Sequence, residues 1–405
     1  MTPAAPKTAG ALDGLRVLDL GTFIAAPFAA TMFAEMGAEV VKVELPGIGD
    51  HCRRLGTPTE HGDTLVWLSE GRNKRSVTID LRKPEGAALL LRLAAQADAV
   101  CENFQVGTLE KWGLGWDQLR AANPRLVLLR ISGYGQEGPY AARPCFGRIA
   151  NAFGGISFLS GEPDRPPANP GSATLADYMA GLFGGFAMLA ALRHRDRSGR
   201  GQVVDVALYE GVFRILDELV PAYDHGGHVR ERAGAETAIV APHSHYPTAD
   251  GRWVAIACTS DTIFARLAQL IGAPDLAQPG RWATTAARVR DRVEVNATVS
   301  AWTRTLTRDA LLSACEVAQV PAGPVYAIDE IFADPHYAAR GSILRVADPR
   351  AGDLAVPAPV GRMSETPAHV AHLGQALGAE TDAVLQGWLG MTAGEIAALR
   401  ERGAV

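Results

Sequence analysis

One acidic residue in this chain stands where chemistry could begin. In Gly171-Ser172-Ala173-Thr174-Leu175-Ala176-Asp177-Tyr178-Met179-Ala180-Gly181, Asp177 sits where a loop turns into an apolar helix. Two readings share that position. As an N-cap, Asp177 would accept a hydrogen bond from the first-turn amides. As a carboxylate at the positive end of a helix it would be held ionised, and an ionised carboxylate can act as a nucleophile. The small neighbours Ala173, Ala176, Ala180 and Gly181 leave room for a ligand. Periodicity does not choose between the two.

The other chemistry-bearing groups point away from familiar sites. His243 and His245 stand two apart with no third ligand nearby, whereas catalytic zinc takes three protein ligands, so no metal is expected. GxxxxGK[ST], HExxH and GxSxG are absent from the sequence, which removes three common enzyme classes. The first strand-to-helix turn, Leu20 to Pro27, lacks the second and third glycines of a dinucleotide loop, which argues against an NAD enzyme. Cys52, Cys101, Cys145, Cys258 and Cys315 form an odd set without a CxxC pair. They read as free thiols in a reducing compartment. The opening MTPAAPKTAGALDG has no apolar core of a signal peptide, so a cytoplasmic protein is expected. With 39 basic against 44 acidic residues the formal charge is -5, and neither nucleic acid nor an anionic membrane is expected as partner. The apolar stretch Met179 to Leu192 is short for a bilayer and runs into Arg193-His194-Arg195, as a buried helix would.

The positioning elements follow from periodicity and length. Strands are predicted at Leu15 to Leu20, Ala38 to Glu44, Asp98 to Cys101, Arg125 to Ile131 and Val203 to Ala207. Helices are predicted at Ala25 to Met36, Pro84 to Gln96, Trp116 to Ala122 and Asp177 to Arg195. Strand, helix, strand within about thirty residues is a βαβ unit and implies a parallel sheet. The fold class is therefore α/β: a Rossmann-like large domain across 1–222, a smaller α+β domain across 223–325, and a segment 326–405 returning to the large domain. Residues 1–10 read as a disordered lead and 224–251 as linker and loop. A strand is predicted at Arg252 to Cys258, and helices at Thr262 to Ile271, Val293 to Thr305, Asp309 to Gln319, Glu380 to Trp388 and Thr392 to Arg402.

Seven blocks in order carry a resemblance: LDGLRVLDLGTFIAAPFAATMFAEMGAEVVKVELPGIGD, NKRSVTIDLRKPEG, ENFQVGTLEKWGLGWDQL, NPRLVLLRISGYGQEGPY, LADYMAGLFGGFAMLAAL, SGRGQVVDVALYEG and VPAGPVYAIDEIFADPH. The chain resembles the class III CoA-transferases, the family of formyl-CoA transferase and carnitine CoA-transferase, which includes the 2-methylacyl-CoA racemases. The resemblance implies an interlocked homodimer, with the loops around 200–225 and 325–335 as connections between domains. It also implies that Asp177 is the nucleophile. Ile24 and Ala25, then Ile79, Asp80, Leu81 and Arg82, then Asn103, Phe104 and Gln105, with Lys111, would contact coenzyme A. CoA enters as part of the substrate, and no tightly bound cofactor is implied. Arg82 and Lys111 suit its phosphates, and Phe104 suits an apolar contact.

Departures from the family pattern bear on the substrate. Leu45 replaces a basic CoA contact, for which Arg53 or Arg54 would compensate. Ile24 replaces a glutamine, Gly147 replaces an acidic residue, and Thr237 to His243 lacks a glycine-rich lid. The racemases use a Gly-His-Asp segment that here reads Cys145-Phe146-Gly147-Arg148, without the histidine for two-base proton transfer. Arg148 stands near the expected acyl site and suits a second carboxylate. His243, His245 and Arg232 lie in the region that would close over it. The expectation is a transferase working from succinyl-CoA to a C4–C5 dicarboxylic acid through an aspartyl-CoA thioester, with first-turn amides stabilising the oxyanion. Racemisation, intramolecular transfer within one dicarboxylate and non-catalytic CoA binding are the alternatives.

Overall fold

Six parallel strands form the central sheet in the order β3-β2-β1-β4-β5-β6. They are β1 (Arg16–Asp19), β2 (Glu39–Glu44), β3 (Lys74–Thr78), β4 (Ala99–Glu102), β5 (Val127–Ser132) and β6 (Val203–Ala207). This is a computed structural model, and it describes residues 10–405. Most of the expected lead therefore lies outside the described residues. Gly10 lies within them and packs against Met36 and Gly37. The α/β class and its parallel sheet stand as expected. β3 was not among the predicted strands, because its sequence KRSVT is polar. It is polar and still buried because Lys74 finds Asp19 at 2.8 Å inside the fold.

The strands are buried on both faces, as helix-covered parallel sheets are. Leu18, Val41, Val77, Val100 and Leu128 face one core, together with Leu90, Leu93 and Leu385. Val17, Val40, Ala99, Val127 and Leu129 face the other, with Phe33 and Met188. Helix α1 (Ala25–Glu35) follows β1, and α2 (Pro84–Ala94) starts with proline at its first turn. Helix α3 (Gly147–Phe153) precedes the long helix α4 (Leu175–Ser198). At 24 residues α4 exceeds the expected stretch and is long and apolar enough to cross a membrane. Its buried face instead packs on α1 and β5 through glycines: a Cβ at Gly181 would lie 2.6 Å from the Ala25 carbonyl, and one at Gly184 3.1 Å from Leu129. Close approach of that kind is what glycine permits.

The chain divides into two compact units. The first runs to Ile156 and takes in Gly171–Asp217 and His336–Val405; the second is Ser157–Pro170 with Glu218–Pro335. The second thus includes 157–170, which the sequence reading places in the large domain. It holds an antiparallel sheet β7-β8-β9, of β7 (His243–Pro247), β8 (Trp253–Ala257) and β9 (Ala322–Pro324). Two expectations are corrected. The segment 224–251 is not all loop, because β7 alternates buried Ser244 and Tyr246 with more accessible histidines; the small polar serine hid the period of two. The connections at 200–225 and 325–335 are largely regular, holding β6, Leu208–Arg214, Leu219–Gly226 and Ile328–Ala333.

A buried charge cluster lies under the sheet's carboxyl end. Lys42 pairs with Asp50 at 2.9 Å and Asp19 at 3.5 Å, and Lys74 with Asp19. Burial alone would lower the Lys42 pKa; Asp19, Asp50 and Glu44 outweigh it and raise it. Beside it Arg53 joins Glu44 (2.7 Å) and Asp63 (2.8 Å). Removing one partner from such a cluster strands a charge. Asp19→Asn should therefore cost about 3–5 kcal/mol, measured by urea unfolding. A loss below about 1 kcal/mol would mean that the cluster is only spectator charge.

Candidate active site

Strand order reverses between β1 and β4, so the turns after them open a crevice at the sheet's carboxyl edge, where open α/β sheets take ligands. Here the turn is built without the glycine-rich solution. Gly21 N–H donates to Asp19 Oδ1 (3.0 Å), Thr22 N–H to Asn103 Oδ1 (2.7 Å) and Phe23 N–H to Asp50 Oδ1 (3.1 Å). Asn103 Nδ2 returns a bond to the Thr22 carbonyl at 2.8 Å. Side chains thus take the amides that a dinucleotide loop leaves for phosphate. Phe23 is held at φ 60°, the left-handed region that costs a bulky residue energy. Its ring stacks on His51 at 4.7 Å.

Two cavities adjoin along this crevice, of about 310 and 320 Å³, sharing Thr22 and Phe104. Ala25, Asn103, Gln105 and Asp177 line the first; Ile79, Asp80, Leu81 and Arg82 line the second. Most of the residues named from the resemblance therefore converge. Ile24 does not: it is buried in a core with Cys52, Trp67 and Leu68. Lys111 ends a short helix on the surface, and Trp112 lines the second cavity in its place. Arg82 is half exposed and bound to Asp80 at 2.8 and 2.9 Å. Arg53 is consumed by its acids, while Arg54 is bonded to the carbonyl of Ile48, which lines the second cavity. Arg148 is exposed on α3 and lines neither cavity, while Arg143 lines the first. His243, His245 and Arg232 belong to the second unit, where Arg232 donates to the Phe158 carbonyl at 2.8 Å.

Asp177 is not an N-cap. Thr174 holds that place, and Asp177 lies in the first turn of α4. The expectation that the helix end keeps it readily ionised is also corrected. Burial pushes its pKa up to about 6, against a smaller lowering by its own backbone N–H. At pH 7 about nine-tenths remains carboxylate. Gly147 explains how the carboxylate is seated: a Cβ there would come within 2.0 Å of Asp177 Oδ2 and 2.8 Å of the Ala173 carbonyl. One turn on, fully buried Asn151 donates to that same carbonyl at 3.4 Å. Arg143, which the sequence reading did not single out, was legible through topology: a loop leaving the carboxyl end of β5 must border the crevice.

The comparisons agree with this geometry. The model of CoA-transferase family III matches residues 12–381, and the chain belongs to that family. The succinyl-CoA–L-malate CoA-transferase beta subunit of Chloroflexus aurantiacus is 50% identical over 393 residues, covering 96% of this chain and 97% of the relative. The alpha subunit from the same organism is 48% identical over 402 residues, covering 99% and 94%. A CAIB/BAIF family protein from Brucella suis matches in structure with TM-score 0.82 and 35% identity, covering 94% of this chain and 100% of that one. The protein is a CoA-transferase, an enzyme whose substrates are CoA thioesters.

The contact of Gly147 with Asp177 gives a sharp test. In Gly147→Ala the flexible carboxylate has to move aside. The turnover number for CoA transfer should fall about a hundredfold, as for a misplaced reacting group, with KM little changed and the melting temperature lowered by the clash with the Ala173 carbonyl. Wild-type turnover in that variant would show that the tight seat has no bearing on the reaction.

Proposed function

We propose that this enzyme moves coenzyme A from succinyl-CoA to a C4–C5 dicarboxylic acid through an aspartyl-CoA thioester on Asp177. The observation that carries the reading is the half-buried Asp177 carboxylate on the wall of the first cavity. The substrate class draws support from the two Chloroflexus relatives, whose names give succinyl-CoA and L-malate.

The chemistry balances without an added proton. Asp177 Oδ attacks the donor thioester carbonyl, the C–S bond breaks, and a mixed anhydride forms with CoA leaving as thiolate. The thiolate attacks the aspartyl carbonyl and expels the donor carboxylate, leaving aspartyl-CoA. The acceptor carboxylate attacks that thioester, and CoA again leaves. The thiolate then takes the acceptor's acyl carbon and frees Asp177. The covalent route preserves the thioester's energy, provided water stays away from the anhydride. Ala25, Asn103, Phe104, Gln105 and Ile79 to Arg82 would hold the CoA moiety along the two cavities.

The same reading has the chain acting as an interlocked homodimer. Leu182, Phe186 and Leu189 on α4 leave an apolar stripe in solvent, Phe186 at 72% exposure. A patch of that kind marks an interaction surface. The chain resembles the alpha and beta relatives about equally, at 48% and 50% identity, which supports an assembly of two copies of one polypeptide. Sedimentation of wild type should give twice the mass of one chain, and Phe186→Asp should shift it toward monomer. A monomeric wild type would end this part of the proposal.

Intact-protein mass spectrometry after incubation with succinyl-CoA tests the covalent step. Wild type should gain a CoA-sized adduct that hydroxylamine removes; Asp177→Ala should gain none. Protonation removes the nucleophile, so the rate of adduct formation should fall through pH 6, half lost near the Asp177 pKa of about 6. Adduct formation in Asp177→Ala would overturn the assignment, and none in wild type with any acyl-CoA would overturn the mechanism.

A further inference from the structure

We infer that Arg143 reads an anionic oxygen pair on the substrate, namely the distal carboxylate of the dicarboxylic acyl group. The inference rests on the reading above and deepens it. Among the described residues, Arg143 is the cation on the wall of the cavity that holds Asp177. Its guanidinium lies over the Tyr140 ring at 3.7 Å, and its backbone N–H is fixed to the Tyr140 carbonyl at 2.8 Å. Tyr140 is itself held edge-on by Tyr134 (5.8 Å) and Phe153 (6.0 Å). Next to Arg143, the Ala142 carbonyl accepts from Gln105 Nε2 at 3.2 Å, so both sides of the loop are anchored.

The pairing of the other arginines sharpens the point. Arg53, Arg72, Arg75, Arg82, Arg130 and Arg195 of this unit each bind a carboxylate within the fold. Arg143 makes no ion pair among the described residues. Stacking on an aromatic face takes one side of the guanidinium and leaves its planar fork of N–H donors free, the geometry that matches a carboxylate in two bonds. The charge logic agrees. Asp177 repels any second carboxylate, and a positive group on the same wall offsets that repulsion and orients the acyl chain with its reacting carbonyl toward Asp177. A monocarboxylic acyl group gains nothing from it. Arg148 stands exposed on α3 outside the cavity wall, so the geometry favours Arg143 for this role.

A CoA phosphate presents the same oxyanion chemistry, and a matched pair of donors separates the two sources. Succinyl-CoA and butyryl-CoA have equal chain length and the same nucleotide; only the first has a distal carboxylate. In Arg143→Ala the KM for succinyl-CoA should rise about ten- to hundredfold, the loss expected for bonds to a charged group. Butyryl-CoA kinetics should stay within about threefold, the size of a minor contact. Arg143→Lys should recover part of the loss, because it keeps charge without the fork. Equal losses on both donors would assign Arg143 to a phosphate and overturn the inference; so would no loss, or a selective loss in Arg148→Ala instead. Adduct formation on Asp177 from butyryl-CoA, followed by mass in the same variants, keeps this outcome separate from failure of the covalent mechanism. If wild type forms no adduct from either succinyl-CoA or butyryl-CoA, the broader reading fails; if Arg143→Ala forms it at saturating succinyl-CoA yet loses donor selectivity, both hold.

Discussion

The buried ion cluster of Asp19, Lys42, Lys74 and Asp50 is the constraint on which the crevice depends. Two positive and two negative side chains balance in a place that water does not reach. The carboxylates do more than pair. Asp19 and Asp50 also accept the amides of Gly21 and Phe23, so the charge balance and the shape of the turn are one structure. A dinucleotide fold buys the same turn with glycines and then spends its amides on a pyrophosphate. This chain keeps the sheet order and replaces the glycines with side-chain acceptors. The replacement holds Phe23 at positive φ and occupies the turn amides, so the Rossmann-like strand order comes here without the phosphate cradle of a dinucleotide loop.

The turn then fixes Asp177 through backbone packing. Gly181 lies one turn past Asp177 and meets the Ala25 carbonyl so closely that a methyl group would not fit. The distance between α4 and the turn is therefore set by main chain, which is stiffer than any rotamer. Gly147 closes on the other side. The cost is electrostatic. A folded pKa near 6 against an ordinary 3.8 means that ionising Asp177 inside the fold costs at most about 3 kcal/mol. The sign follows from linkage: a raised pKa lends stability below about pH 4 and loses it as pH climbs through 6. At neutral pH the fold carries that cost, and a desolvated carboxylate is the more reactive for it.

How much of this was legible from sequence follows the physics of each element. β1, β2, β4, β5 and β6 are apolar runs bounded by turns, and they were read within a residue or two. β3 and β7 escaped because their buried positions hold Lys74, Ser76 and Ser244, whose partners are distant in sequence. Asp177 was legible as a residue at a helix start, and its role only through the ordered blocks around it. Its place in the first turn and its raised pKa depend on what packs over it, which no local pattern records. Ile24 and Lys111 were assigned by position in a motif, and neither faces the cavities; matching a motif places a Cα and leaves the direction of the side chain open.

The arginines show why spacing misleads about charge. Counted along the chain, Arg53, Arg54, Arg82, Arg143 and Arg148 are equivalent cations near the expected site. In the fold they are not. Arg53 is spent on Glu44 and Asp63 and can reach a ligand only by giving up internal acids, whereas half-exposed Arg82 binds Asp80 through two of its nitrogens and still lines the second cavity. Breaking a buried pair of the Arg53 kind costs several kcal/mol, more than a solvated phosphate returns. Binding anions at low cost therefore falls to cations whose internal partners are not acids. Arg54, bonded to the Ile48 carbonyl, meets that condition. Arg143, resting on an aromatic ring, meets it at the acyl end. On the proposed reading, the division of labour between CoA recognition and acyl recognition would follow which guanidinium groups the fold leaves without an acid.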